Sequence, residues 1–431
     1  MTPFGRAAIV AVGSELLTSS KLDTNSLHIT EQLNRLGIDV VLKSVVGDSR
    51  DELAHMIRAL LERVELLILC GGLGPTDDDI TREAVSAAIE RPLSEDEGIT
   101  TRLRERFKAR GFAMPMPEIN RRQAMVPAGA IVIENSRGSA PGLWIDHGSR
   151  SVVLLPGPPR ELKPMLASLV DGRLRDRASG ESLVRRVVRI AGRIESDVDQ
   201  VLQPLYHQWA DASLPIAATI LAAPGAIELH LSARASSAAA ADAALDPAVR
   251  EVVKAIGEDV YSTDGRTLER VVGDLLVNGG LRIAAAESCT GGLITSRLTD
   301  VPGSSRYVDQ SVITYANAAK TELLGVPPEM IEAHGAVSEP VALAMAEGIR
   351  TRARADVGVG VTGIAGPTGG TPEKPVGTVV VATITPRERR CRTFRFHGER
   401  ELVKFQAAQA ALDMVRRLLA FPGRLKAAPT S

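Results

Sequence analysis

The densest cluster of residues able to do chemistry is Ala285-Ala286-Glu287-Ser288-Cys289-Thr290-Gly291-Gly292. It follows an apolar strand-like run and precedes a helical pattern, which places it at the carboxyl edge of a sheet, where α/β proteins bind ligands. Ser288 is there a candidate nucleophile. The amides of Thr290 and Gly291 are candidate donors to an oxyanion, and Gly292 lets the backbone approach a substrate. A serine needs a base, and Thr314-Tyr315-Ala316-Asn317-Ala318-Ala319-Lys320 runs from the next strand into a helix. A lysine desolvated beside Ser288 can lose its proton and accept that of the hydroxyl, as in Ser-Lys hydrolases. The phenol of Tyr315 could relay it. None of the seven histidines lies in a Gly-rich loop of this kind, which counts against a Ser-His-Asp mechanism. A third loop, Thr362 to Gly370, is rich in glycine and holds Gly363 and Gly366. Together with Arg400 at the start of the last helix it is suited to hold a phosphate. Each residue alone has a plainer reading: Ser288 as a helix cap, Lys320 as a solvated lysine, Tyr315 as a half-buried strand residue, and Cys289 as a small buried hydrophobe. The constellation favours catalysis by Ser288, Lys320 and Tyr315. Thr290, Gly291, Gly292, Asn317, Thr362, Gly363, Gly366 and Arg400 then line the substrate.

A second constellation lies near the start of the chain. The run Val64–Cys70 leads into Gly71-Gly72-Leu73-Gly74-Pro75-Thr76-Asp77-Asp78-Asp79, with a helix expected from about Thr81. Glycines before a helix N-terminus can cradle phosphate. Glu15, Asn25, Gly71, Gly72, Gly74 and Thr76 are the expected phosphate-side residues, and Asp78 and Asp79 the expected ligands of a divalent metal ion. Phosphate cradle plus metal is the requirement of diphosphate hydrolysis. The aspartates also fit a plainer role as caps of the following helix.

The elements that must position these residues alternate along 431 residues. Residues 1–171 read as an α/β domain with strands at Arg6–Val12, Asp39–Val46, Val64–Cys70 and Ser151–Leu155. A helix is expected over Asn25–Leu36, with Leu27, Leu33 and Leu36 inward, and a capping box at Ser49–Glu52 opens the next. Residues 172–263 read β-α-β-β-α-β, with a strand pair around Pro224-Gly225, a small α+β ferredoxin-like unit without site signals. Residues 264–421 read as a second α/β domain, and residues 422–431 as a flexible tail. The fold class is therefore α/β, with two α/β domains joined by a ferredoxin-like one.

Basic and acidic residues nearly cancel, 51 against 52, and aromatics are 3% of the chain, so no direct nucleic-acid binding is expected. Three scattered cysteines suggest neither a disulfide framework nor a zinc site. No run is long enough for a signal peptide or membrane span, so a cytoplasmic protein without membrane contact is expected.

At the quoted clusters Glu287–Gly292, Tyr315–Lys320, His334–Pro340 and Gly363–Gly370 the sequence resembles the CinA family (competence/damage-inducible protein A), and the likeness extends over the whole chain. The resemblance implies that the C-terminal domain hydrolyses the amide of nicotinamide mononucleotide to nicotinate mononucleotide and ammonia without a cofactor. The family's serine, lysine and tyrosine fall on Ser288, Lys320 and Tyr315. It also implies an N-terminal molybdopterin-binding-like domain, in some members a metal-dependent ADP-ribose pyrophosphatase. The molybdopterin-binding relatives usually carry another residue at Leu73, which weakens a molybdenum-cofactor reading. Small-molecule nucleotide substrates, a role in NAD metabolism and pyridine-nucleotide salvage, and a homo-oligomer, as a dimer, are the expectations. The alternative is a nucleotide- or molybdopterin-binding partner, without catalysis, in competence or DNA repair.

Overall fold

The computed structural model describes residues 3–109, 116–178, 180–223 and 225–421. Pro224 and the tail 422–431 lie outside the described residues. The chain divides into two compact units, residues 1–184 with 233–244, and residues 185–232 with 245–431.

In the first unit the strands are β1 (Arg6–Val12), β2 (Asp39–Val46), β3 (Leu66–Cys70), β4 (Leu93–Glu95), β5 (Met125–Pro127), β6 (Ile131–Ile133), β7 (Gly142–His147) and β8 (Arg150–Leu155). The main sheet has the order β2-β1-β3-β8-β7-β6, while β4 and β5 pair separately. β2, β1, β3 and β8 are parallel. β7 and β6 turn antiparallel at one side. β3 is apolar throughout because both its faces are covered. Leu67 and Leu69 pack with Leu53, Ile57 and Val85 on one face. Leu66 and Ile68 pack with Ile29, Leu33 and Leu162 on the other.

Two local expectations are corrected. Helix Asn25–Arg35 turns Ser26, Ile29 and Leu33 inward, and Leu27 is 61% exposed. The inward positions follow the helical repeat from Ser26, so Leu27 falls on the outer face. The helix Arg50–Leu61 starts at Ser49, but no side-chain hydrogen bond caps it.

The strands β9 (Ser182–Ala191), β10 (Ile216–Ala223), β11 (Ala226–Ala235) and β12 (Val260–Ser262) form a sheet of order β10-β11-β9-β12. With helices Glu195–Ala210 and Ala238–Ile256 in the two crossovers, this is the ferredoxin-like arrangement.

The remaining strands are β13 (Ile283–Glu287), β14 (Val308–Ile313), β15 (Val357–Gly363), β16 (Thr378–Ile384) and β17 (Arg389–Arg395), ordered β14-β13-β15-β16-β17. β14, β13 and β15 are parallel, and β16 and β17 antiparallel. β13 is central and made of small residues. Ala284 and Ala286 pack with Val341 and Met345 of helix Glu339–Ala353. In β15 the absence of a side chain at Gly358 and Gly360 lets that helix come close, since a Cβ there would meet the carbonyls of Ala346 and Ala342. The opposite face packs on helices Leu268–Gly279 and Arg400–Ala420 through Leu276, Ala411 and Val415. Ala191 and Tyr261 belong to this same core.

Among the described residues no helix is long and apolar enough to cross a membrane.

Candidate active site

Strand β13 ends at Glu287, and the chain turns through Ser288–Gly292 before helix Leu293–Thr299. The turn is fixed by Glu287, which is fully buried. Its carboxylate accepts from the amides of Gly292 (3.0 Å), Ile294 (3.1 Å) and Thr295 (2.9 Å) and from the Thr295 hydroxyl (2.8 Å). Those amides are the donors that a helix start leaves unpaired, and a carboxylate is favoured beside them. The anion site expected at this helix start is therefore filled by the protein itself. Sequence reasoning passed over Glu287, although a carboxylate ending an otherwise apolar strand was a readable sign of a buried partner.

Ser288 is 8% exposed and Lys320 only 1%. Lys320 Nζ lies 3.3 Å from Ser288 Oγ and donates to the Thr314 carbonyl at 2.8 Å. Lys320 stands on helix Asn317–Leu324, and Thr314 follows the end of β14, so strand and helix grip the amine from two sides. Burial holds its pKa below the usual lysine range. Burial acts the other way on Cys289 and pushes its thiol up to about 12, leaving it without thiolate character at neutral pH.

One expected oxyanion donor, the Gly291 amide, needs correction. The Gly291 amide donates to the Ser288 carbonyl (3.1 Å), and the Gly292 amide is held by Glu287. The Thr290 hydroxyl is buried and, among the described residues, without a hydrogen-bond partner.

Tyr315 is 62% exposed, and its hydroxyl accepts from Arg400 Nη2 at 2.8 Å. Lys320 meets Ser288 directly, with no phenol between them. Arg400 opens the last helix and also donates to the Gly366 carbonyl (2.7 Å), which ties the third loop to Tyr315. Thr362 is buried and donates to the Ala336 carbonyl (2.8 Å). Gly363 ends β15, and Asn317 is exposed at its helix start. Lys404, one helical turn beyond Arg400, was not singled out from the sequence. Its Nζ comes within 3.8 Å of the position a Cβ on Gly291 would take, so it overhangs the Ser288 loop. The four-residue spacing from Arg400 was the available signal.

In the first unit, a cleft of about 610 Å³ is lined by the β1 and β3 ends, including Glu15, Asn25, Gly71, Gly72, Gly74, Asp78 and Asp79. The glycine loop is held from within. Thr81 Oγ1 donates to the Gly71 carbonyl (2.8 Å), and the buried Arg82 donates to the carbonyls of Leu73 and Gly74 (both 2.7 Å). Asp79 accepts from the amides of Gly74 (2.6 Å) and Thr76 (2.9 Å) and from the Thr76 hydroxyl (2.6 Å). Asn25 donates to the Gly157 carbonyl (2.7 Å), and Glu15 is half-exposed, 3.9 Å from Lys21.

Asp77 pairs with Arg122 at 2.7 Å. Hydrogen bonding from Thr76 and from its own amide keeps the exposed Asp78 carboxyl below its usual range. Both oxygens of Asp79 are thus committed to the loop before it, and they do not cap the helix Thr81–Ile89, whose start carries no side-chain cap hydrogen bond. Among the described residues no group of three or more His, Cys, Asp or Glu converges as a metal site. These side chains do not fit a resident divalent cation.

Fold and site together define a three-part α/β protein: a molybdopterin-binding-like domain, a ferredoxin-like domain, and an α/β domain with a buried serine–lysine pair. Residues 8–176 match the probable molybdopterin binding domain family, 185–262 the damage-inducible protein CinA KH domain, and 265–419 the CinA C-terminal domain. A CinA-like protein of Koribacter versatilis is 46% identical over 417 residues, covering 96% of this chain and 99% of its own. A CinA-like protein of Acidobacterium capsulatum is 45% identical with the same coverage. The crystal structure of competence/damage inducible protein CihA from Agrobacterium tumefaciens is 42% identical over 35% of this chain and 93% of its own, with a TM-score of 0.35. The chain belongs to the CinA family.

Proposed function

We propose that the second unit is an amidohydrolase that converts nicotinamide mononucleotide to nicotinate mononucleotide and ammonia. The observation that supports it best is the buried amine of Lys320, its proton affinity lowered by desolvation, 3.3 Å from Ser288 Oγ. In the neutral amine the lone pair accepts the hydroxyl proton as Oγ attacks the carboxamide carbon. The Thr290 hydroxyl, buried and without a partner among the described residues, is the donor we assign to the developing oxyanion. Collapse breaks the C–N bond, and Lys320 returns the proton to the departing nitrogen, releasing ammonia and leaving an ester on Ser288. Water, deprotonated by Lys320, cleaves the ester to the carboxylate and restores Ser288. No step calls on a cofactor. Arg400 and Lys404 are the cations available to the substrate's phosphate. The test is ammonia release by the full chain from nicotinamide mononucleotide, with nicotinate mononucleotide as co-product. A partner without catalysis would release none.

For the first unit the supported reading is binding of a nucleotide whose nucleoside end, rather than its phosphate, lies in the acidic cleft beside the glycine loop. Hydrolysis of ADP-ribose, which the family resemblance implies, would need a cation that these carboxylates are not arranged to hold. Equilibrium dialysis with labelled ADP-ribose tests this reading: retention with slow or absent turnover is expected, and no retention contradicts it.

A further inference from the structure

The cleft of the first unit is lined by Glu15, Asp23, Asp48, Asp78, Asp79 and Glu161 against a single lysine, Lys21. Without a resident cation such a lining repels phosphate. The opposite charge stands just outside it. Helices Asn25–Arg35 and Pro159–Asp171 flank a groove of about 520 Å³ whose charged lining is His28, Arg137, Arg160 and Lys163. No carboxylate lines it.

Cleft and groove are neighbours on the same pair of helices. Pro159 lines both. On the first helix Asn25 lines the cleft while His28 and Gln32 line the groove, a spacing that keeps all three on one face. On the second helix Glu161 lines the cleft, and Arg160 and Lys163 the groove.

Arg137 is held in place by its loop. Asn135 Oδ1 accepts from the amides of Arg137 (3.0 Å) and Gly138 (2.7 Å), and Asn135 Nδ2 donates to the buried Glu161 (2.8 Å). The one acidic neighbour in reach is Glu161, 3.8 Å from Arg160 Nε. Among the described residues neither Arg137 nor Lys163 has an acidic partner. Three cations at one groove, two of them unneutralised, in a chain of net charge −1 are a local concentration of positive potential.

We infer that this groove is an anion subsite that takes the phosphate or diphosphate group of a small-molecule ligand. The cleft that shares Pro159 with it is where such a ligand's other end would lie. For that other end the inference rests on the reading of the cleft as a nucleotide site; the groove itself is independent of it.

The test is calorimetric titration of the full chain with inorganic pyrophosphate in the presence of a chelator, which removes any route through a divalent cation. An Arg400→Ala/Lys404→Ala background keeps the second unit's basic pair from contributing. Saturable binding is expected, weakening as ionic strength rises. Arg137→Ala/Lys163→Ala should weaken it at least about tenfold, two lost charge-assisted contacts being enough for that. Arg137→Lys/Lys163→Arg, which keeps both charges, should retain most of it and shows that a loss is not misfolding. Absence of saturable binding, or equal binding by the alanine variant, overturns the subsite. ADP separates the two readings. If it binds no more tightly than pyrophosphate while the alanine variant loses both, the groove stands and the cleft reading falls. If ADP binds equally well to the alanine variant, the groove falls and the cleft remains.

Discussion

Lys320 Nζ stands 3.3 Å from Ser288 Oγ and 2.8 Å from the Thr314 carbonyl, on a residue that is 1% exposed. The carbonyl orients the amine, and the missing water lowers its proton affinity. A lysine so placed is a base at a pH where an exposed lysine is an acid. The active form is the neutral amine, so activity should rise with pH through the Lys320 pKa. That limb should lie below the ordinary lysine range. The folded state disfavours the proton that the unfolded chain keeps, so the Lys320 contribution to stability also rises with pH between the lowered pKa and the ordinary one. A pH–rate profile of kcat checks this, and a limb at the ordinary lysine position would contradict it. Lys320→Arg should not restore turnover, because a guanidinium stays protonated.

Glu287 replaces substrate as the anion at the helix start, with four hydrogen bonds to its carboxylate. Glu287→Ala would leave buried donors unsatisfied, at about 1–3 kcal/mol for each that water does not reach. The expected outcome is a lower melting temperature together with a fall in kcat, since the same turn carries Ser288. Glu287→Gln keeps the shape but only one acceptor oxygen, its NH2 facing N–H donors, so it should recover only a part of the stability.

Arg400 and Lys404 should act on the phosphate and leave the amide chemistry alone. Arg400→Ala/Lys404→Ala should raise KM for nicotinamide mononucleotide at least about tenfold with a smaller change in kcat, as loss of a charge-assisted contact does. Nicotinamide riboside, which lacks the phosphate, should be hydrolysed equally by both enzymes. An equal loss on both compounds would make the pair structural.

Asp259 anchors a buried ionic network. It accepts from Arg193 Nε at 2.7 Å and from Arg417 Nη2 at 2.8 Å, while Arg417 and Arg416 also bind Asp413. Asp259→Ala should destabilise the second unit by about 1–3 kcal/mol, because Arg193 and Arg417 each lose one charge-assisted partner while keeping Asp197 and Asp413. Thermal unfolding measures this. A fragment beginning at residue 264 loses the same partner and should melt earlier than the full chain.

Much of this architecture was legible because the strands are short apolar runs closed by glycines. β1 and β2 fall on the residues that the pattern marks, and β8 begins one residue earlier than expected. The serine and lysine were legible as candidates from their loops; that they meet depends on the packing of β14 beside β13, which no local pattern records. Hydrogen-bond direction was hidden in the same way. Asp79 turns back on its own loop, Gly291 bonds to Ser288, and Tyr315 bonds to Arg400, because each found a nearer partner than the expected ligand. The capping box at Ser49 is likewise not made, and the start of helix Arg50–Leu61 carries no side-chain cap hydrogen bond.

The choice between Ser288 and its neighbour Cys289 bears most directly on the mechanism. Ser288 touches the base, whereas the Cys289 thiol is buried and pushed up to about 12. The decisive measurement is the initial rate of ammonia release from nicotinamide mononucleotide by the wild-type chain, Ser288→Ala and Cys289→Ala, each checked for an unchanged fold. The expected result is a loss of at least about a thousandfold for Ser288→Ala and a mild change for Cys289→Ala. Near-normal turnover by Ser288→Ala with an inactive Cys289→Ala would transfer the attack to the thiol and contradict the serine–lysine mechanism.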